Sequence, residues 1–137
     1  MSERLVREAL EVALNTWATA NSVPVAWENT EFVPTADAVH ARAYLLPGDK
    51  LSPFLAGAGR VHVGVFQVSL HMPQGYGTAA ASALVESLDA AFTTTAPLTA
   101  GGVSVYITRP MGAGPALPGD SGAYVVPVSC AYRAPIA

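Results

Sequence analysis

The chain opens on a helical pattern. Between Ser2 and about Ala20, Leu5, Val6, Ala9, Leu10, Val12, Ala13, Leu14 and Trp17 recur at spacings of three and four, with Glu3, Arg4, Arg7, Glu8 and Glu11 mostly on the other side. That period lays one apolar stripe along an amphipathic helix. Ser2 is placed to cap its N-terminus, and Asn21-Ser22 followed by Pro24 stops it. Residues 23–28 read as extended, because a residue before proline is pushed out of the helical region, with Trp27 anchoring the segment to the core. Residues 29–38, which include Pro34 and several polar side chains, read as loop.

The period then changes to two. From Val39 to Leu46, small apolar residues alternate with His40, Arg42 and Tyr44, which predicts a strand exposed on one face. Pro47 ends it, and residues 47–59 form a long connection rich in Gly, Pro, Ser and Ala around Leu51, Phe54 and Leu55. Arg60 to Met72 is the strongest strand signal, β-branched and free of proline until Pro73. Its apolar parity shifts from Val61/Val63/Val65 to Phe66/Val68/Leu70, which predicts either a bulge at Gly64 or a strand covered on both faces.

After a turn at residues 73–77, Thr78 caps a second helix reaching Phe92, with Ala81, Leu84, Val85, Leu88 and Phe92 on one side. Two strands close the chain, at residues 102–108 and 123–133, the second with Tyr124, Val126, Val128, Cys130 and Tyr132 on one face. Between them, the prolines and glycines of residues 110–122 argue against regular structure. Pro127 lacks an amide hydrogen, which predicts an edge position or a local bulge for the last strand. The expected architecture is a single α+β domain over residues 1–137. It has an antiparallel or mixed sheet of about four to five strands and two helices packed on one face.

Composition narrows the function classes. Only 12% of the 137 residues are charged and 51% are hydrophobic, a balance that leaves part of the surface to be covered by partners. With a net charge of −3 and no Lys/Arg cluster, direct nucleic-acid readout is not expected, since that affinity comes from basic residues displacing counterions. No apolar run approaches the ~18 residues that span a bilayer. Met1-Ser2-Glu3-Arg4 runs straight into the helix without a signal-peptide pattern, which predicts a protein made and kept in the cytoplasm.

Catalytic constellations are weak throughout. His40, His62 and His71 are candidate metal ligands on neighbouring strands, but no carboxylate lies beside them, and no metal or cofactor is expected. Cys130, the single cysteine, sits in an alternating strand without a nucleophile turn and reads as a small buried hydrophobe. The loop glycines lack the Lys-Ser/Thr of a phosphate loop. Glu28/Glu31 and Glu86/Asp89 fall where solvated charge belongs, in a loop and on a helix's outer face. The chain reads as a non-enzyme.

Several stretches, taken in order, carry a resemblance. They are the helix ending at Trp17, Pro24-Val-Ala-Trp-Glu-Asn29 with Phe32-Val-Pro34, Ala43-Tyr-Leu-Leu-Pro47, and the run from Gly64 to Thr78 leading into an alanine-rich helix. Gly114-Pro-Ala-Leu117, Tyr124-Val-Val-Pro-Val-Ser129 and Tyr132-Arg133 complete them. Nearly the whole chain resembles the tail terminator proteins of long-tailed phages. That resemblance implies a virion tail protein, assembled in the bacterial cytoplasm, that forms a homohexameric ring on the head-proximal end of the tail tube. The ring stops tail polymerisation and offers a head-tail joining surface, so the implied partners are itself, the tail tube protein and the head-tail connector. Ring closure needs a heterologous interface. The 47–60 and 110–122 loops are the expected contacts, with Arg42, Asp49, Lys50, Phe54, Arg60, Arg109 and Asp120 as candidate interface residues. Another minor tail or connector component is the alternative within this class. A small metal- or ligand-binding enzyme using the three histidines is the alternative outside it.

Overall fold

A computed structural model of the chain describes residues 2–28, 39–48, 60–73, 77–114, 117–118 and 124–136. Two helices, α1 (Ser2–Asn21) and α2 (Gly77–Ala91), accompany β1 (Val25–Ala26), β2 (His40–Pro47), β3 (Arg60–Met72), β4 (Leu98–Ala100), β5 (Val103–Ala113), β6 (Leu117–Pro118) and β7 (Tyr124–Ile136). The sheet runs β1-β2-β3-β7-β5-β4, with β6 also pairing β7. It is mixed, because β1 lies parallel to β2 while the other pairs are antiparallel. The expected sheet of four to five strands is therefore too small. β1 forms within the segment expected to be extended; the strands beyond the expected number are β4 and β6, of three and two residues, too short to show a period.

Helix α1 forms where its stripe predicts and ends as its sequence directs. Ser22 takes a left-handed φ of 56°, the Val23 amide donates to the Ala18 carbonyl at 2.9 Å and the Ser22 amide to Thr19 at 3.4 Å. This six-to-one and five-to-two pair is the Schellman arrangement that satisfies orphan carbonyls. Val6, Ala9, Leu10, Leu14 and Trp17 are buried. Val12 is not: it is 58% exposed, because it lies two residues from Leu10, or about 200° around the helix axis, between Glu8 and Thr16. The Trp17 indole donates to Ser87 Oγ at 2.7 Å and thereby ties α1 to α2.

Strand alternation sends one set of side chains to a single core. Ala41, Ala43 and Leu45 of β2, Phe66, Val68, Leu70 and Met72 of β3, Val126, Val128, Cys130 and Tyr132 of β7, and Val103, Val105 and Ile107 of β5 join the buried helix residues. Phe66 meets Phe92, just past α2, with ring centroids 5.7 Å apart. Both helices thus pack on the same inner face of the sheet, as the pattern predicts.

β3 keeps an unbroken register with both β2 and β7 through Gly64, so of the two alternatives the bulge is absent. The strand is apolar on both sides, with Val61 buried on one and Phe66, Val68 and Leu70 on the other. Two other strand expectations need correction. β5 continues to Ala113, through Pro110 and Gly112, absorbing them as register shifts between Ile107 and Arg109 and between Arg109 and Gly112. Pro127 sits in a central strand rather than at an edge. Its carbonyl accepts from Gly114 at 2.7 Å, and a strand residue's amide and carbonyl point to the same side. Its missing N–H therefore faces the gap where β5 gives way to β6 and leaves the β3 ladder intact.

Gly64 has its own reason. A Cβ there would lie 2.6 Å from the Leu46 carbonyl oxygen and 2.7 Å from the Tyr132 hydroxyl, so a bare backbone is what lets the Tyr132 ring lie across β3. Replacing Gly64→Ala should lower stability by about 1–3 kcal/mol, the usual cost of forcing an extra methyl into a packed site. Urea denaturation of the two proteins checks this.

Candidate interaction surface

The strand residues of opposite parity form an outer face that contributes nothing to the core cluster. The register places these residues in rows. Leu46 of β2 lies beside Val65, Ala131 and Arg109; Tyr44 lies beside Gln67, Ser129 and Gly112; and Val63 lies beside Arg133 and Tyr106. Val63, Val65 and Ala131 are half-buried, while Tyr44, Leu46, Tyr106, Arg109 and Arg133 are exposed. At 52%, Leu46 is the most exposed large apolar side chain among the described strand residues. Among the described residues no helix covers this face. It presents a small apolar floor with aromatic and aliphatic side chains at two margins.

The end of the face toward His40 is different. His40 and His71, directly opposite on β2 and β3, stack with ring centroids 4.4 Å apart and planes 14° from parallel. Burial, then the neighbouring charges of His71 and Arg42, push the His40 imidazole down to about 4; burial and Arg42 lower His71 as well. Both rings are neutral at pH 7. His62, by contrast, pairs with Ala134 nine residues back along β3, about 30 Å away at the usual strand rise and on the opposite face. The three histidines do not meet, and among the described residues no three His, Cys, Asp or Glu side chains gather as a metal site. A three-histidine enzyme loses its geometry.

The remaining chemical candidates are structural. Cys130 is buried, and that burial pushes its thiol up to about 11, so it is protonated at neutral pH. Of the Glu28/Glu31 pair, Glu31 lies outside the described residues, and Glu28 serves the fold. It accepts from the Leu45 amide at 2.6 Å and from Arg7 at 3.3 Å, closing the open edge of β2 beyond β1. A shallow depression of about 420 Å³ along α1 is lined by charges already paired along the helix, Arg4 with Glu8 and Arg7 with Glu11, both at 3.7 Å.

Of the expected interface residues, Arg42 and Arg109 stand on the outer face, Arg42 half-buried beside the histidine stack and Arg109 exposed. Arg60 begins β3, opposite Ile136, and its side chain lies outside the described residues. Asp49, Lys50, Phe54 and Asp120, with most of both candidate loops, also lie outside them. Tyr44, Leu46, Tyr106 and Arg133 were not among the expected residues. Alternation marks each as outward-facing, but which sheet face the helices leave open is a tertiary fact.

A surface of this kind suits assembly, and the comparisons agree. A family model described as phage tail terminator protein matches residues 5–132. The chain belongs to the phage tail terminator family. The family is structural rather than enzymatic, so this terminator-family chain is a structural protein of a phage tail whose partners are other tail or head components. A solved structure shares 39% identity with it at a TM-score of 0.81, over 98% of this chain and 96% of that one. No curated protein matches it. No helix among the described residues is long and apolar enough to cross a membrane.

The histidine stack gives the terminator fold a pH dependence. A histidine whose folded-state pKa lies below its unfolded value leaves the unfolded chain with more bound protons, so stability falls as pH falls. For His40 the loss begins near pH 6.5 and levels off near pH 4. Melting temperature should drop across that window, and His40→Ala should flatten the slope. A pH series of thermal melts on both proteins measures this.

Proposed function

We propose that the chain assembles as a ring on the head-proximal end of the phage tail tube, halting its polymerisation and presenting a surface to the head connector. The family match over residues 5–132 carries this reading. Two features of the chain support it. Only 12% of its residues are charged, and the outer face of its sheet leaves Tyr44, Leu46 and Tyr106 exposed rather than burying them in its own core; such patches mark contact sites. Stopping a polymer requires occupancy of its end, which a ring of repeated contacts supplies without any bond-making chemistry.

Purified protein added to polymerising tail tube subunits tests this. Tubes should stop at shorter lengths, and electron microscopy should show ring-shaped density at one end of each tube. Unchanged tube growth with bare ends would overturn the proposal. Density at an end that continues to elongate would favour a minor tail component.

A further inference from the structure

The charges of the described residues are sorted between the two sides of the molecule. No strand contains Asp or Glu, and the outer sheet face carries Arg42, Arg109 and Arg133. On the opposite side, α2 contains Glu86 and Asp89 and no basic residue. On α1, Arg4, Arg7, Glu8 and Glu11 are paired within the chain through Arg4–Glu8, Arg7–Glu11 and Arg7–Glu28. Among the described residues, no salt bridge involves Arg109, Arg133, Glu86 or Asp89. Two sets of opposite charge are thus exposed on faces that cannot reach each other within one subunit.

Shape agrees with charge. The outward stripe of α2 is Ala79, Ser82, Ala83, Glu86, Asp89 and Ala90, all exposed; apart from the two acids its side chains are small, which lets a helix approach a flat surface closely. The outer face offers a floor of Val63, Val65 and Ala131 between Tyr44 and Leu46 on β2 and Tyr106 and Arg109 on β5. Three strand spacings separate those margins, about 14 Å, against an α-helix diameter of about 10–12 Å. Arg109 and Arg133 lie together at the β5/β7 margin, and Glu86 and Asp89 lie in the C-terminal half of α2, so the charges also fix which way the helix runs.

We propose that α2 of one copy docks across the outer sheet face of the next, with Glu86 and Asp89 directed at Arg109 and Arg133. The proposal deepens the ring reading and rests on it. Because α2 lies behind the inner face, the two patches face opposite ways, and the contact is head-to-tail; such contacts generate closed rings or open filaments and never a two-fold dimer.

Charge reversal tests the pairing. One variant carries Arg109→Glu and Arg133→Glu, the other Glu86→Arg and Asp89→Arg, all at exposed positions, with thermal melts confirming that each folds. Each alone should associate at least about tenfold more weakly than the wild type, as expected for like charges facing each other. An equimolar mixture should recover assembly, since every contact in an alternating ring then joins opposite charges. Association is read by light scattering in solution and by capping of tail tube ends, so a ring that forms only on a tube is also scored. Variants that associate and cap like the wild type, or a mixture without recovery, overturn the surface assignment and leave the cap reading standing. A wild type that neither associates nor caps removes both.

Discussion

β3 and β7 pair over thirteen residues without a slip, from Arg60 opposite Ile136 to Met72 opposite Tyr124, and the two faces of the protein follow from that register. A shift of one residue would turn every side chain of a strand to the other side. Phe66, Val68 and Leu70 would leave the core and Val63, Val65 and Gln67 would enter it. Gly64 helps to hold the register, because only at that position can β3 accept the Tyr132 ring against its backbone. With the central pair fixed, β2 and β5 inherit their parity, and the helices cover the face that carries the larger apolar volume.

The same arrangement decides how the subunit meets others. An exposed strand edge is the simplest route to uncontrolled association, and here both edges are blunted. On the β2 side, β1 covers the first residues, and Glu28 occupies the Leu45 amide while paired to Arg7. On the β5 side, Pro110 and two register shifts make residues 107–113 a poor template for another strand. With its edges closed, the molecule is left with its faces: a sheet surface with exposed tyrosines and arginines, and a helix with exposed small residues and acids.

Much of this was legible in the chain. Both helices, the four long strands and the inward parity of β7 follow from periodicity alone, and Asn21-Ser22 announced the end of α1. The misreadings share one cause, since local pattern does not show what lies alongside. Pro110 suggests a break and Pro127 an edge or a bulge, but a missing amide matters only if a neighbour would have used it, and the neighbouring ladder is a tertiary fact. Val12 is apolar yet outward, because its angle around α1 carries it away from the buried stripe. Of the outer face, Arg42 and Arg109 are among the expected interface residues and alternation turns Tyr44 outward, whereas nothing local marks Leu46 and Tyr106 as contacts. Their exposure depends on which side of the sheet the helices choose.

The distribution of labour on the outer face is itself a physical constraint on partners. Apolar contact over Val63, Val65 and Ala131 is favourable for almost any flat, small-residue surface, and so discriminates little. The arginines are different. Solvated on the free subunit, they cost nothing there, but any partner that covers them removes that water and must return hydrogen bonds and opposite charge or be rejected. The neutral His40–His71 stack keeps further positive charge off the same face at pH 7, leaving the arginines to set the electrostatic requirement. The floor is therefore suited to adhesion and the margin to selectivity, whichever tail or head component covers this face.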